Sequence, residues 1–166
     1  MFLMAAVFLF PILASVRAAG PVTAATCPVT QAQEPIFVPP APYAKNPGET
    51  SFWFGTSRLW TVLGREGAWH FRPAGSTAYR QKTFWFQEGL KEADWRAARG
   101  PVLTVTGRRL DEPTSTLTPS SAGLSYREQD WKAFFVVGVD IPSAGCWEIT
   151  GKTGQEELRF VVRVGD

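Results

Sequence analysis

The C-terminal end of the chain alternates apolar and polar residues with a period of two. Its apolar positions are Leu158, Phe160, Val162 and Val164, and the polar residues Glu157, Arg159 and Arg163 lie among them. This period predicts a strand with one buried face. Trp147 and Ile149 point one way in the preceding run, and residues 151–154 supply a turn. The two runs therefore predict a β-hairpin.

Other apolar runs between residues 51 and 141 are short, and they are rich in aromatic and β-branched residues. They lie at 52–54, 59–63, 68–71, 77–86, 102–106 and 131–141, with glycine and proline between them. Runs of this kind are typical of strands. One stretch, 88–98, could form a short helix. The pattern predicts an all-β domain over residues 51–166, an immunoglobulin-like antiparallel β-sandwich.

Residues 1–16 are almost wholly apolar, and Val16-Arg17-Ala18 fits a small-x-small cleavage site. The run is too short for a stable helix across about 30 Å of hydrocarbon. It predicts a signal peptide over residues 1–18 and a secreted or periplasmic protein with no transmembrane segment in its mature chain. A lipid anchor on Cys27 is not expected, because residues 24–26 lack the large aliphatic residue that precedes such a cysteine.

Residues 19–50 are rich in proline, alanine and threonine. Several closely spaced prolines prevent a regular helix or strand ladder, so this segment is expected to run extended over a surface as a tether. Pro39-Pro40-Ala41-Pro42 leaves a second interpretation open, a proline-rich docking segment for a partner.

The chain has two cysteines, Cys27 and Cys146, and exported proteins fold in oxidising compartments. They predict one disulfide that spans nearly the whole mature domain. If Trp147 is buried, its neighbour Cys146 faces outward or towards an edge, where the extended N-terminal segment can reach it. The bond would then strap that segment across the sandwich.

Residues for catalysis are few. The single histidine, His70, lies between two aromatic residues in a predicted strand and is interpreted as a structural or surface residue. Four acidic pairs could in principle serve a hydrolase, but each lies in a turn-like polar stretch where solvated charge is the default: Glu92 with Asp94, Asp111 with Glu112, Glu128 with Asp130, and Glu156 with Glu157. Gly151-Lys152-Thr153 lacks the spacing and the helix of a phosphate-binding loop. We expect no catalytic residue, no metal site and no cofactor.

Seven tryptophans are the clearest compositional excess. Alternation places Trp53 and Trp85 on the opposite face from their phenylalanine neighbours. If those phenylalanines form the core, both indoles are exposed, and with Trp95 they form a candidate ligand surface suited to stacking on sugar rings. The alternative is that the extended segment or the 88–98 excursion covers them and that they are core residues.

Several stretches occur in the order and spacing of a known group of proteins. They are Cys27-Pro28-Val29-Thr30, residues 59–63, residues 103–111, residues 142–151 with Gly145-Cys146-Trp147-Glu148, and residues 158–164. The chain resembles a family of uncharacterised secreted bacterial proteins whose domain ends in a Gly-Cys-Trp-Glu-x-Thr-Gly hairpin. The resemblance implies an exported, single-domain, β-rich protein, and it carries no activity over to any residue.

A net charge of +2 gives no electrostatic case for a nucleic-acid partner. The sequence therefore predicts a non-enzymatic binding or accessory module of the bacterial envelope or extracellular space, engaging protein or glycan. Two alternatives are a secreted hydrolase that uses one of the acidic pairs and a purely structural envelope protein.

Overall fold

The computed structural model describes residues 26–43, 45–97, 101–112, 115–127, 132–154 and 156–165. Within these residues lie nine strands and one short helix. The strands are β1 (Ser51–Gly55), β2 (Leu59–Gly64), β3 (Ala68–Trp69), β4 (Tyr79–Gln87), β5 (Thr104–Arg109), β6 (Thr118–Arg127), β7 (Lys132–Ile141), β8 (Gly145–Thr153) and β9 (Glu156–Val164). The helix is α1 (Glu92–Arg96), inside the 88–98 stretch that the sequence marks as helical.

The strands form two sheets, as expected for an all-β sandwich. The five-stranded sheet has the order β1-β2-β4-β7-β6 and is antiparallel throughout. The four-stranded sheet has the order β3-β9-β8-β5, and only the short β3 pairs in parallel, with β9. The predicted C-terminal hairpin is confirmed as β8 and β9, with Trp147 opposite Val162. The turn predicted at residues 151–154 was placed too early, because residues 151–153 belong to β8 and pair with β9.

The main core lies between the sheets, and its largest side chains include Trp85, Phe135, Trp147 and Phe160. Gly151 of β8 faces Trp85, and a Cβ at this position would collide with the six-membered ring of that indole. The glycine of Gly151-Lys152-Thr153 therefore makes room for a core tryptophan, in agreement with the rejection of a phosphate loop.

A second apolar cluster covers the outer face of the five-stranded sheet. Its buried members are Trp53, Trp60, Phe86 and Phe134. They alternate along the strands with residues of the main core, so they point to the other side of the sheet. Tyr43 lies on them, with ring centroids 5.2 Å from Trp60, 5.5 Å from Phe86 and 6.2 Å from Trp53. Both faces of this sheet are therefore buried where this cluster lies.

The cover is the N-terminal segment, and residues 27–43 are called the strap here. A disulfide joins Cys27 to Cys146 on β8, with the two Cα atoms 5.4 Å apart, so the predicted bond is confirmed. Trp147 is fully buried on the opposite face from Cys146, as the alternation requires. Thr30 bonds β9 twice: its N–H donates to the carbonyl of Val161 (2.9 Å), and its hydroxyl accepts from the Val161 N–H (2.8 Å).

Residues 26–43 and 45–50 contain no helix or strand, consistent with their proline content. Because Cys27 is bonded to the four-stranded sheet and Tyr43 packs on the five-stranded one, the strap crosses from one sheet to the other. Across the described ranges, no helix combines the length and the apolar character needed to cross a bilayer.

Candidate functional site

The tryptophan surface expected from the sequence does not form. Trp53 is 2% exposed and Trp85 is fully buried, so neither can stack on a ligand. The alternation was right for Trp53, which points outward, but the strap covers it. For Trp85 the predicted face was wrong: Trp85 points into the main core, and Phe84 and Phe86 point out. The alternative, in which the extended segment covers outward-facing aromatics, holds for Trp53.

Trp95 is the one member of that predicted surface that is exposed, at 43%. It lies on α1 and stacks on Tyr126 of β6, with ring centroids 6.0 Å apart and planes at 22°. The guanidinium carbon of Arg96 lies 5.3 Å from its ring centroid. Trp95 is thus a single exposed aromatic side chain beside β6, separate from the two buried indoles.

The described acidic pairs have basic or capping partners. Glu92 bonds Arg96, Glu156 bonds Arg58 at 3.2 Å, and Glu157 bonds Arg159 at 2.5 Å. Asp94 accepts a hydrogen bond from the Lys91 N–H at the start of α1. The remaining pair, Asp111 with Glu112, bonds Arg109, and the pair Glu128 with Asp130 lies outside the described residues.

Arg109 and Asp111 have a structural role beside the disulfide. Arg109 Nε donates to Asp111 Oδ1 (2.8 Å), which also accepts from the Cys146 N–H (3.3 Å). The hydrogen bond from Arg109 is the main reason why the pKa of Asp111 is lowered. A carboxylate held as an anion cannot serve as a general acid, which needs a raised pKa. Two stretches of the family-like pattern, 103–111 and 142–151, thus meet in a structural cluster.

A cleft opens between β2 and β4. These strands pair only from Leu59 opposite Gln87 to Thr61 opposite Trp85, although both continue beyond that point. The hydroxyl of Thr61 donates to the carbonyl of Phe84 at 2.7 Å, at the place where the ladder ends. Beyond it the strands separate and leave a cavity of about 400 Å³, which we call the slot.

The slot has aromatic, polar and cationic walls. It is lined by Thr61, Val62, Gly64, Ala68, Trp69, His70, Phe71, Gln81, Lys82, Thr83, Phe84 and Phe160. Phe71 is 62% exposed, which makes it the most exposed aromatic side chain at the slot. Among the described residues of this lining there is no aspartate and no glutamate. The slot can therefore offer stacking, hydrogen bonds and positive charge.

Backbone bonds at both ends fix the wall formed by residues 68–71. Trp69 pairs with Val164 of β9, and its ring contacts Phe160 edge to face at 6.0 Å. The carbonyl of Phe71 accepts from the Arg80 N–H of β4 at 2.8 Å. His70 is exposed, and its Nδ1 is hydrogen-bonded to the carbonyl of Gly165. The surface interpretation of His70 agrees with this position.

Sequence reasoning missed Phe71 and Lys82 as site residues. The run 68–71 was expected to be a strand throughout, whereas β3 ends at Trp69 and leaves Phe71 outside the sheet. Arg72-Pro73 after this run is the local signal that could have shortened the predicted strand. Nothing in the residues around Lys82 marks it, because the slot is formed together with other elements, β2 and residues 68–71.

No group of three histidine, cysteine, aspartate or glutamate side chains in the described parts of the chain could hold a metal ion. Comparisons with protein-family models, with curated proteins and with solved structures find no match to this chain.

Proposed function

We propose that this protein is an exported, non-enzymatic binding module with an immunoglobulin-like sandwich, and that it holds a glycan in the slot between β2 and β4. The slot carries the proposal: an exposed aromatic ring, Phe71, stands beside polar side chains in a cavity of about 400 Å³. Ligand pockets commonly combine an apolar wall with a few polar groups and measure roughly 300–1,000 Å³. An exposed ring at such a mouth suits the apolar face of a sugar.

Export is supported by two features. The apolar run of residues 1–16 with its small-residue end is typical of a signal peptide. The disulfide between Cys27 and Cys146 is the kind of bond that persists in the periplasm or outside the cell. Both features agree with a bacterial envelope or extracellular location.

The geometry favours binding over hydrolysis. A hydrolase that uses an acidic pair needs two carboxylates flanking its substrate, and the described residues of the slot lining include none. A purely structural envelope protein would need no cleft with an exposed ring. A protein partner in the slot is the second candidate, because Phe71 and Trp69 would also accept an apolar side chain.

The test is a pull-down of residues 19–166, prepared in an oxidising compartment, against insoluble glycans that include peptidoglycan. We expect retention that is lost in Phe71→Ala and kept in the matched control Trp95→Ala, which removes an exposed aromatic residue outside the slot. Circular dichroism of both variants checks that each is folded. Equal retention of the two variants would place the binding surface elsewhere, and flow-through on every matrix would contradict a glycan ligand.

A further inference from the structure

The slot has a cation without a carboxylate partner. Arg80, two residues earlier on β4, bonds Asp140 at 2.7 Å, and other arginines of the sandwich have similar partners. Lys82 lines the slot, and within the described part of the chain its ammonium group makes no salt bridge. The charge of Lys82 is therefore available to a ligand.

Several hydrogen-bond acceptors around the slot already have partners. The Gly64 carbonyl accepts from the Gly67 N–H (3.0 Å), and the Lys82 carbonyl accepts from Gln81 Nε2 (3.0 Å). The Phe84 carbonyl accepts a hydrogen bond from the Thr61 hydroxyl, and the Phe71 carbonyl accepts one from the Arg80 N–H.

The hydroxyl of Thr83 donates to the Val137 carbonyl and accepts from Trp85 Nε1, both at 3.0 Å. The ammonium of Lys82 adds three donors and no acceptor. A ligand group that accepts hydrogen bonds and carries negative charge would therefore suit Lys82.

A carboxylate is such a group, because it only accepts hydrogen bonds and is negatively charged. Hydrogen bonds between ionised partners are roughly twice as strong as neutral ones. A cavity of about 400 Å³ lies at the small end of the range for ligand pockets, so it suits a sugar unit better than a folded partner. Phe71 would then contact the ring of that unit and Lys82 its acid group.

We infer that the slot selects an acidic sugar, a glycan unit that carries a carboxylate, through the ammonium group of Lys82. This inference rests on the proposed function and names the ligand class of the same site. Lys82 is exposed, so water and salt screen its charge and the expected selectivity is modest.

The experiment compares one oligosaccharide in two charge states. Oligogalacturonate and its methyl ester differ at the carboxyl group and keep the same rings, so calorimetric titration of each isolates the contribution of charge. At low salt we expect the acid to bind about five-fold more tightly than the ester, with the difference reduced at 0.5 M salt. Lys82→Gln should remove the difference, Lys82→Arg should keep it, and Lys152→Gln, an exposed lysine outside the slot, should leave it unchanged.

The outcomes separate the inference from the function. If acid and ester bind equally and both lose affinity in Phe71→Ala, charge selection is wrong and the glycan module stands. If neither form binds, and insoluble glycans also fail to retain the protein, both proposals are wrong. Tighter binding of a glutamate-rich peptide than of oligogalacturonate would also overturn the acidic sugar, in favour of a protein partner.

Discussion

The outer faces of the two sheets differ in composition and in cover. The outer face of the five-stranded sheet has Trp53, Trp60 and Phe86, all buried beneath Tyr43 of the strap. The indole N–H of Trp60 has no hydrogen-bond partner among the described residues, and burial raises the pKa of Tyr43. The four-stranded sheet presents ion pairs, such as Arg108 with Glu148 at 2.8 Å, whereas the five-stranded sheet combines an apolar cluster with an ion pair, Arg80 with Asp140 at 2.7 Å.

This difference explains the structural role of the buried tryptophans. A two-layer sandwich has one core, but the strap adds a third layer over one sheet, so the molecule has two apolar clusters to fill. An excess of aromatic residues in the sequence therefore reflects the number of buried layers. It is a poor guide to a ligand surface, and the exposed ring that matters for the slot, Phe71, belongs to neither cluster.

The largest loss of stability is expected for a substitution beneath the strap, on the outer face of the five-stranded sheet. Trp53→Ala should lower the free energy of unfolding by about 3–5 kcal/mol, because it removes a buried indole and leaves a cavity under the strap. Urea denaturation followed by circular dichroism measures the loss. Trp95→Ala is the control, since Trp95 is 43% exposed, and it should cost much less. Similar losses for both variants would mean that the strap does not bury Trp53 in solution.

The second largest loss of stability is expected when the disulfide between the strap and β8 is removed. Replacing both cysteines, Cys27→Ser with Cys146→Ser, should cost about 2–5 kcal/mol, because the disulfide closes a loop between residues 119 positions apart. Urea denaturation again reports the change, and reduction of the unaltered protein should give a similar loss. If the double variant is as stable as the parent, Thr30 and Tyr43 alone hold the strap in place.

The smallest loss of stability is expected for the ion pair on the four-stranded sheet, where Arg108 is exposed. The pKa of Glu148 is lowered, chiefly by its hydrogen bond from Arg108. That stabilisation is present above the ordinary pKa of a glutamate, about 4.3, and is lost as the pH falls through the lowered value in the folded protein. Arg108→Gln should thus be slightly less stable than the parent at pH 7 and equally stable at pH 2.

An NMR titration of Glu148 tests the cause directly. In Arg108→Gln its pKa should rise towards the ordinary value, while Lys152→Gln on the same strand should leave it in place. A pKa of Glu148 that is the same in the parent and in Arg108→Gln would show that the ion pair does not form in solution.

Local periodicity accounts for what the sequence predicted well. Apolar and polar residues alternate along the β8–β9 hairpin, which predicted both strands. Because neighbouring residues of a strand point to opposite faces, a buried Trp147 also predicted that Cys146 faces away from the core. In β6 the signal is absent: Thr-Pro-Ser-Ser-Ala-Gly reads as a loop, and pairing with β7 shifts register between Pro119 and Ser121. β6 is a strand because it forms backbone hydrogen bonds with the edge of β7.

The faces of Trp53 and Trp85 show a second limit. Alternation separates the two faces of a strand, but it cannot tell which face meets the other sheet when both are apolar. The slot is less predictable still, because it forms where β2 and β4, brought together by the fold, stop pairing after Thr61 and Trp85. No short segment of the sequence contains that information.

The position of Cys27 sets the order of events during synthesis. A chain emerges with its N terminus first, so Cys27 cannot form its bond until nearly all of the domain, up to Cys146, has followed it. Until then, aromatic residues such as Trp53 and Trp60 lack a fastened cover and are exposed to chaperones and to neighbouring chains. Closure of this bond therefore comes late in synthesis, after the residues that form both apolar clusters up to Cys146 have been made.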